Sequence, residues 1–395
     1  MRQASHVCTL MTLVALGCTA CGGDGGGSSG PSPLPISAAP SAGTIGDGRL
    51  AEITEWARDS QDVPAMAVIL VRNGQVVERA AVGRRSASMD VLVSTEDQWH
   101  LGSMTKAMTA TLAAVLVEDG LITWDSTPAD VWPELADSIH DGFRATTLRQ
   151  FLSHTSGMKR DDEYAPGSDR AAGTLIDKRR AWAEHLLQEP PQFAAGALNY
   201  SNVGYLVAGA MLETRGGASW EMLLTTRVFA PLGMVHSGFG APGTPGMLDE
   251  PLGHWSQRTG FVPIDPGSSD ANIPAAMGPA GNAHSTLDDY AQFMVAHLAG
   301  ARGVPGLVSA ESFVTLHSPV APNYALGWGI APAMQTLNIA GLSHTGSTGR
   351  WFSLVWLAPS LNMGLVIVAN GGGDRAFAAI EALDLRIRER VIATP

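Results

Sequence analysis

Gly102-Ser103-Met104-Thr105-Lys106 leads straight into Ala107-Met108-Thr109-Ala110-Thr111-Leu112, and the Ala-, Met- and Leu-rich run continues to Asp119 before Gly120. This composition predicts one long helix over 103–119, stopped by a glycine that tolerates the left-handed conformation of a helix end. A separation of three residues puts the Ser103 and Lys106 side chains on one helical face. Ser103 stands at the N-terminal end, where exposed N–H groups stabilise developing negative charge. A serine hydroxyl is a weak nucleophile until a neighbouring base takes its proton. The pattern offers two such bases: a neutral lysine, or a tyrosine held ionised by the lysine.

On the N-terminal side, Leu50, Ile53, Trp56 and Ala57 recur at helical spacing. Residues 65–71 and 76–83 are apolar, β-branched runs, and Asn73-Gly74 between them is a strong hairpin signal because both residues accept positive φ. On the C-terminal side, 351–358 and 363–369 are two further apolar runs joined by Pro359-Ser360-Leu361-Asn362. Phe377, Ile380, Leu383, Ile387 and Val391 mark a closing helix. The middle, about 120–310, mixes helical patches such as 181–187 and 206–214 with Pro/Gly-rich loops. The expected fold is α+β: an antiparallel sheet built from both chain ends, flanked by helices, with a large, mainly helical inserted lobe.

With 395 residues, 45% apolar and 16% charged, the chain can bury a large core. A formal net charge of −12 and scattered arginines speak against nucleic acid, which needs a basic stripe. Cys8, Cys18 and Cys21 are the only cysteines, so the rest of the chain has no disulfide, thiolate metal site or cysteine nucleophile. Arg2, the short apolar run 7–16 and the small residues before Cys21 resemble a bacterial lipoprotein signal, with Cys21 lipidated. Cys18 is the rival position, and an ordinary cleaved signal peptide is the alternative. The expected organisation is a signal over 1–21, a flexible Gly/Ser/Pro tether over 22–46 and a hydrolase domain over 47–395. The protein is then exported and lipid-anchored to a bacterial membrane, facing the periplasm or the cell exterior. Gly26-Gly27-Ser28-Ser29-Gly30 matches a nucleophile elbow formally, but it lies in the tether with no strand before it or helix after it.

Lys106, Lys159 and Lys178 are the only lysines. Lys159 closes a second match, Ser156-Gly157-Met158-Lys159, which has a glycine inside, runs into Arg160-Asp161-Asp162-Glu163 and lacks a helix to hold the pair. Among five tyrosines, only Tyr200 heads a Tyr-x-Asn sequence, Tyr200-Ser201-Asn202. The third piece is His344-Thr345-Gly346-Ser347, just before the strand expected from Trp351. A strand edge there can offer a backbone N–H to an oxyanion, and the glycine lets substrate approach closely.

In this order the three pieces resemble the β-lactamase-related serine hydrolases, which include class C β-lactamases, DD-peptidases, D-aminopeptidases and family VIII carboxylesterases. Further matches are Phe151-Leu152-Ser153-His154-Thr155-Ser156-Gly157-Met158, Pro231-Leu232-Gly233-Met234, Pro279-Ala280-Gly281 with Ser285-Thr286, and Gly327-Trp328-Gly329. The resemblance covers roughly residues 48–390. It implies that Ser103 is the nucleophile, Lys106 its partner and Tyr200 the general base. Asn202 would orient Lys106 and the substrate, and His344, Thr345, Gly346 and Ser347 would bind substrate. Backbone N–H groups of Ser103 and Ser347 would form the oxyanion hole. No metal or organic cofactor is implied. His344 replaces the lysine of the class C Lys-Thr-Gly box, so the fixed charge that meets a β-lactam carboxylate is missing. A histidine there looks more like a DD-peptidase, a D-aminopeptidase or an esterase, and the expected enzyme is carboxylesterase-like. The alternatives are a DD-peptidase, D-aminopeptidase or β-lactamase, with an ester, amide or D-amino-acid peptide as substrate. The non-enzymatic rival is a lipid-anchored protein that binds wall peptides or β-lactams, and it leaves the activated nucleophile without a purpose.

Overall fold

Asn73 and Gly74 take positive φ, 55° and 78°, and fold strand β1 (Ala65–Arg72) onto β2 (Gln75–Ser86) as an antiparallel hairpin. The computed structural model describes residues 38–161, 173–334 and 339–394; the expected signal segment, with Cys18 and Cys21, lies outside them. A short edge strand, β3 (Met89–Leu92), extends the hairpin. The other edge of β1 pairs antiparallel with β7 (Met363–Ala369), bringing Met66 opposite Ala369. Strands β4 (Gly329–Met334), β5 (Ile339–Ser347) and β6 (Phe352–Ala358) complete an antiparallel sheet in the order β3-β2-β1-β7-β6-β5-β4. The sheet is thus built from both ends of the chain, as expected.

Its central strands read as unbroken apolar runs because both faces are covered. Met66, Val68 and Leu70 of β1 and Leu365 and Ile367 of β7 join the core beneath helices α1 (Leu50–Ser60) and α6 (Gly373–Ala393). The alternate residues Ala67, Ile69, Val71, Val366 and Val368 enter the larger core on the opposite face. That second core belongs to the inserted lobe, with helices α2 (Thr105–Glu118), α3 (Leu175–Gln188), α4 (Asn202–Gly216) and α5 (Leu287–Ala301). Each large apolar side chain fully buried in either core stabilises the fold by about 1.5–3 kcal/mol.

Helix α2 is buried on every side from Thr105 to Leu116, as a helix apolar all round must be. Its threonines are satisfied inside the core: Thr109 Oγ1 donates to the Pro279 carbonyl (2.7 Å) and Thr105 Oγ1 accepts the Ala283 N–H (3.0 Å). These bonds fasten the 278–283 segment along the helix. The start of the expected helix differs from the sequence reading: Gly102–Met104 is a 3-10 turn, and the α-helix begins only at Thr105. His344-Thr345-Gly346-Ser347, placed by the sequence at a strand edge before the run from Trp351, forms the end of β5, paired with β6. The last residues of the expected tether are bonded to the folded part. Arg390 donates to the Ala42 carbonyl (2.6 Å), and the Ile45 N–H donates to Thr394 Oγ1 (2.8 Å).

Candidate active site

Ser103 sits half-buried in the tight turn that launches α2, and Lys106 one turn later is wholly buried. Lys106 Nζ lies 3.0 Å from Ser103 Oγ, 2.7 Å from Asn202 Oδ1 and 2.6 Å from the Ala280 carbonyl oxygen. Burial holds its pKa well below the usual lysine range, and the charge of Asp161 opposes that shift only in part. Nζ donates to Ser103 Oγ and to two oxygens that can only accept, Asn202 Oδ1 and the Ala280 carbonyl; loss of one proton would turn a lone pair toward the Ser103 hydroxyl.

Asn202 opens α4 directly after Ser201, whose hydroxyl caps the helix by accepting the Gly204 N–H (2.9 Å). Asn202 bridges Lys106 and Asp161: its Oδ1 accepts from Lys106 Nζ, and its Nδ2 donates to Asp161 Oδ1 (2.5 Å). Tyr200, half-buried, presents its ring 4.8 Å from Lys106 Nζ. The rings of His154 and His344 also neighbour it, at 4.2 Å and 6.4 Å.

The segment holding Ser156 lies behind this group. The Lys159 carbonyl accepts the Ser201 hydroxyl (2.6 Å), the Arg160 carbonyl accepts the Asn202 N–H (2.7 Å), and His154 Nδ1 accepts the Ser201 N–H (3.0 Å). With Nδ1 occupied, His154 carries its proton on Nε2 and donates to Tyr324 Oη (3.1 Å); Tyr324 in turn donates to His344 Nε2 (3.2 Å). His344 Nδ1–H then donates to the Thr345 carbonyl (2.6 Å). This line of donors closes only when both histidines are neutral. Burial, with a smaller contribution from the Lys106 charge, depresses the His344 pKa to about 3 and puts His154 well below the usual histidine range. His344 therefore spends both ring nitrogens inside the protein.

Two glycines set how closely β5 approaches Ser103. A Cβ on Gly102, whose φ is +52°, would come within 2.6 Å of the Ser347 nitrogen, and one on Gly346 within 2.0 Å of the Leu101 carbonyl oxygen. Neither position has room for a side chain, and the backbone of Ser347 lies directly beside the Ser103 turn. A cavity of about 290 Å³ opens onto Ser103, Asn202, Ala280 and Ser347. The larger depression, about 410 Å³ around Glu118, Arg227 and Pro231, touches none of these residues. Among the described residues, no group of three or more His, Cys, Asp or Glu side chains is gathered as a metal site requires.

The fold thus draws Ser103, Lys106, Tyr200, Asn202, His344, Gly346 and Ser347 into one cluster, while Thr345 contributes its carbonyl to His344. Sequence reasoning missed four members. The Ala280 carbonyl is a backbone group with no signature of its own, although Pro279-Ala280-Gly281 marks the place. Asp161 was hidden in a run of charges. His154 sat in a quoted motif without a role, and Tyr324 precedes Gly327-Trp328-Gly329 by three residues.

A family model described as Beta-lactamase matches residues 50–387. Among curated proteins, the chain is similar to Penicillin-binding protein 4 of Amycolatopsis lactamdurans, 28% identical over 332 residues that cover 81% of this chain and 84% of that protein. Among solved structures, it resembles a D-amino acid amidase from Ochrobactrum anthropi complexed with L-phenylalanine amide, with a TM-score of 0.69 and 20% identity over 88% of this chain and 98% of that one. It also resembles a class C beta lactamase from Rhodobacter sphaeroides, with a TM-score of 0.67 and 18% identity over 87% and 100% of the two chains.

Proposed function

The chain belongs to the beta-lactamase family of serine hydrolases, and on that premise we propose that it hydrolyses small carboxylic esters through an acyl-enzyme on Ser103. The observation that carries this reading is the buried Lys106, 3.0 Å from the Ser103 hydroxyl, with its pKa held by burial well below the usual lysine range. Ser103 Oγ attacks the ester carbonyl carbon and gives its proton to the Lys106–Tyr200 pair. The carbonyl oxygen becomes an oxyanion, held by the backbone N–H groups of Ser103 and Ser347. Collapse breaks the C–O bond, and the leaving alkoxide takes the proton from the same pair. Water, deprotonated by that pair, then attacks the acyl-enzyme and restores Ser103.

The neutral His344 supports esters over β-lactams. A β-lactam carboxylate needs a charged partner, and a charge-assisted hydrogen bond is roughly twice as strong as a neutral one. Activated esters need less recognition because their leaving groups depart readily. Amide or peptide substrates form the second reading. They are favoured by the similarity to a penicillin-binding protein and to the fold of a D-amino acid amidase. The test is intact-mass detection of acyl-enzyme with p-nitrophenyl butyrate, nitrocefin and a D-Ala-D-Ala peptide, together with kcat/KM for each. Esterase turnover well above nitrocefin turnover is the expected result. Nitrocefin turnover near the diffusional range with little esterase activity would make the protein a β-lactamase.

The same proposal includes lipidation of Cys21 after export, which tethers the catalytic domain to the membrane. What supports it is the lipoprotein-like segment itself: Arg2, the short apolar run 7–16 and the small residues before Cys21. Expression of Cys21→Ser should release soluble protein. Release by Cys18→Ser alone would move the anchor to Cys18.

A further inference from the structure

The cavity beside Ser103 is chemically lopsided. Trp182, Ile273, Pro274 and Met277 give it an apolar wall, and Ser103, Asn202 and Ser347 give it neutral polar groups. Among the described residues that line it, Asp161 is the one with a formal charge. Its side chain is 46% exposed, so solvent and substrate both reach it. Oδ1 accepts from Asn202 Nδ2 (2.5 Å), and Oδ2 lies 3.4 Å from Arg160 Nε. A carboxylate offers about four lone-pair positions, so these two contacts leave acceptor capacity on both oxygens. The pair with Arg160 is an exposed contact between sequence neighbours, of the kind that contributes little and yields readily to a competing cation. Asp161 is also close to the chemistry, since a single amide, that of Asn202, separates it from Lys106.

On the ester-hydrolase reading given above, we infer that Asp161 is a specificity-determining residue that binds an ammonium group on the acyl part of the substrate. The preferred substrates are then esters or amides of small amino acids with a free amino group and an apolar side chain. An α-ammonium stands two bonds from the carbonyl carbon that Ser103 attacks. A space of about 290 Å³ has room for one amino-acid residue, its side chain against Trp182 and Met277 and its ammonium on Asp161. Anionic acyl groups meet the wrong charge at the same place, and no compensating cation lines the cavity among the described residues.

The test compares p-nitrophenyl esters of alanine and of propionic acid, which differ only by the ammonium. The assay is run at about pH 6, where the α-amino group is protonated, and each rate is divided by the spontaneous rate of the same ester. The full-length protein should prefer the better alanine enantiomer by about tenfold in kcat/KM, the scale of one charge-assisted hydrogen bond in a half-open site. Asp161→Asn should bring the ratio close to one, and Asp161→Glu should restore most of it. Because Asp161 also touches Asn202, the Asn variant loses some rate on both esters; the ratio is the readout. An equal loss on both esters with the ratio unchanged would reduce Asp161 to a support for Asn202 and overturn the inference. So would a wild-type protein that hydrolyses the propionyl ester and shows no preference for alanine. Failure of the ester-hydrolase reading itself would look different: neither ester turned over faster than by Ser103→Ala.

Discussion

Two tetrapeptides in this chain share the pattern Ser-x-x-Lys. In Ser103-Met104-Thr105-Lys106 the backbone passes from a 3-10 turn into an α-helix, and the two side chains meet at 3.0 Å inside the protein. In Ser156-Gly157-Met158-Lys159 the glycine takes φ +83°, so the pair never shares a helical face. There Ser156 Oγ accepts the Met158 N–H (3.3 Å), and Lys159 Nζ turns to Glu189 Oε2 (2.6 Å). The difference teaches what the motif requires. Spacing supplies only the possibility of contact; helical backbone makes the contact, and burial lowers the pKa of Lys106 well below the usual lysine range. The second segment serves the first from behind, because its carbonyls hold Ser201 and Asn202 in place.

Exchanging serines should give the largest contrast. Ser103→Ala is expected to lower kcat on p-nitrophenyl butyrate by about 10⁴-fold or more, the scale seen when a nucleophile is removed. Ser156→Ala should keep the rate within about threefold and cost about 1 kcal/mol of stability for one hydrogen bond, read from urea midpoints. If Ser156→Ala were the inactive variant, the roles assigned to the two segments would be exchanged.

The lysines should separate next. Lys106→Ala should cost at least about 100-fold in kcat, since it takes away a positioned proton acceptor. Lys159→Ala removes a half-exposed ion pair worth under about 1 kcal/mol, with kcat expected within twofold. Equal damage from both substitutions would mean that Lys106 acts only as a structural strut.

Tyr200→Phe sharpens the first segment alone. A loss of about 100-fold in kcat is expected if the phenol shares the proton with Lys106. A rate near that of the wild type would leave Lys106 as the sole base.

The pH dependence concerns stability rather than rate, and it joins the two segments through His154 and His344. His344 is held at about 3, so it stays neutral in the folded protein while its unfolded counterpart binds a proton below about pH 6.5. The unfolded state then carries more protons, and stability falls as pH drops from about 6.5 toward 3, by roughly 1.4 kcal/mol per pH unit for each such histidine. Above about 6.5 this contribution is flat. His100, also held at about 3 by burial, adds to the same slope. Urea midpoints at about pH 7, 6 and 5 check the sign, and constant stability across that range would contradict the neutral histidine line. Replacing His344 with Gln should flatten part of the slope.

The outline of the fold was readable because its signals are local and apolar. Asn73-Gly74 marks a turn, and the runs that became β1, β6 and β7 are buried on one or both faces. Strand β3 left no such signal, since all four of its residues are exposed and its place comes from pairing with β2 alone. The end of β5 gave no apolar signal because burial alternates there between His344 and Gly346, buried, and Thr345 and Ser347, half-exposed, and none of the four is an apolar β-former. In the site, Ser103 and Lys106 could be found from spacing and Tyr200 and Asn202 from order along the chain. Asp161 and the Ala280 carbonyl could not, because one resembled a solvated charge and the other has no side-chain identity at all.

The contacts of Lys106 also carry a consequence for the order of events during synthesis. Its partners Asn202 and Ala280 lie 96 and 174 residues downstream, and the central sheet closes only when Ala369 reaches Met66. A nascent chain that has made α2 and nothing beyond it holds a serine with no proton acceptor and a lysine still charged by water. Reactivity arrives in one late step, with the final strand, after nearly the whole chain has been made. Chains truncated before β6 should remain inert to a fluorophosphonate probe, and Ser103 thereby stays silent until nearly the whole chain has been made.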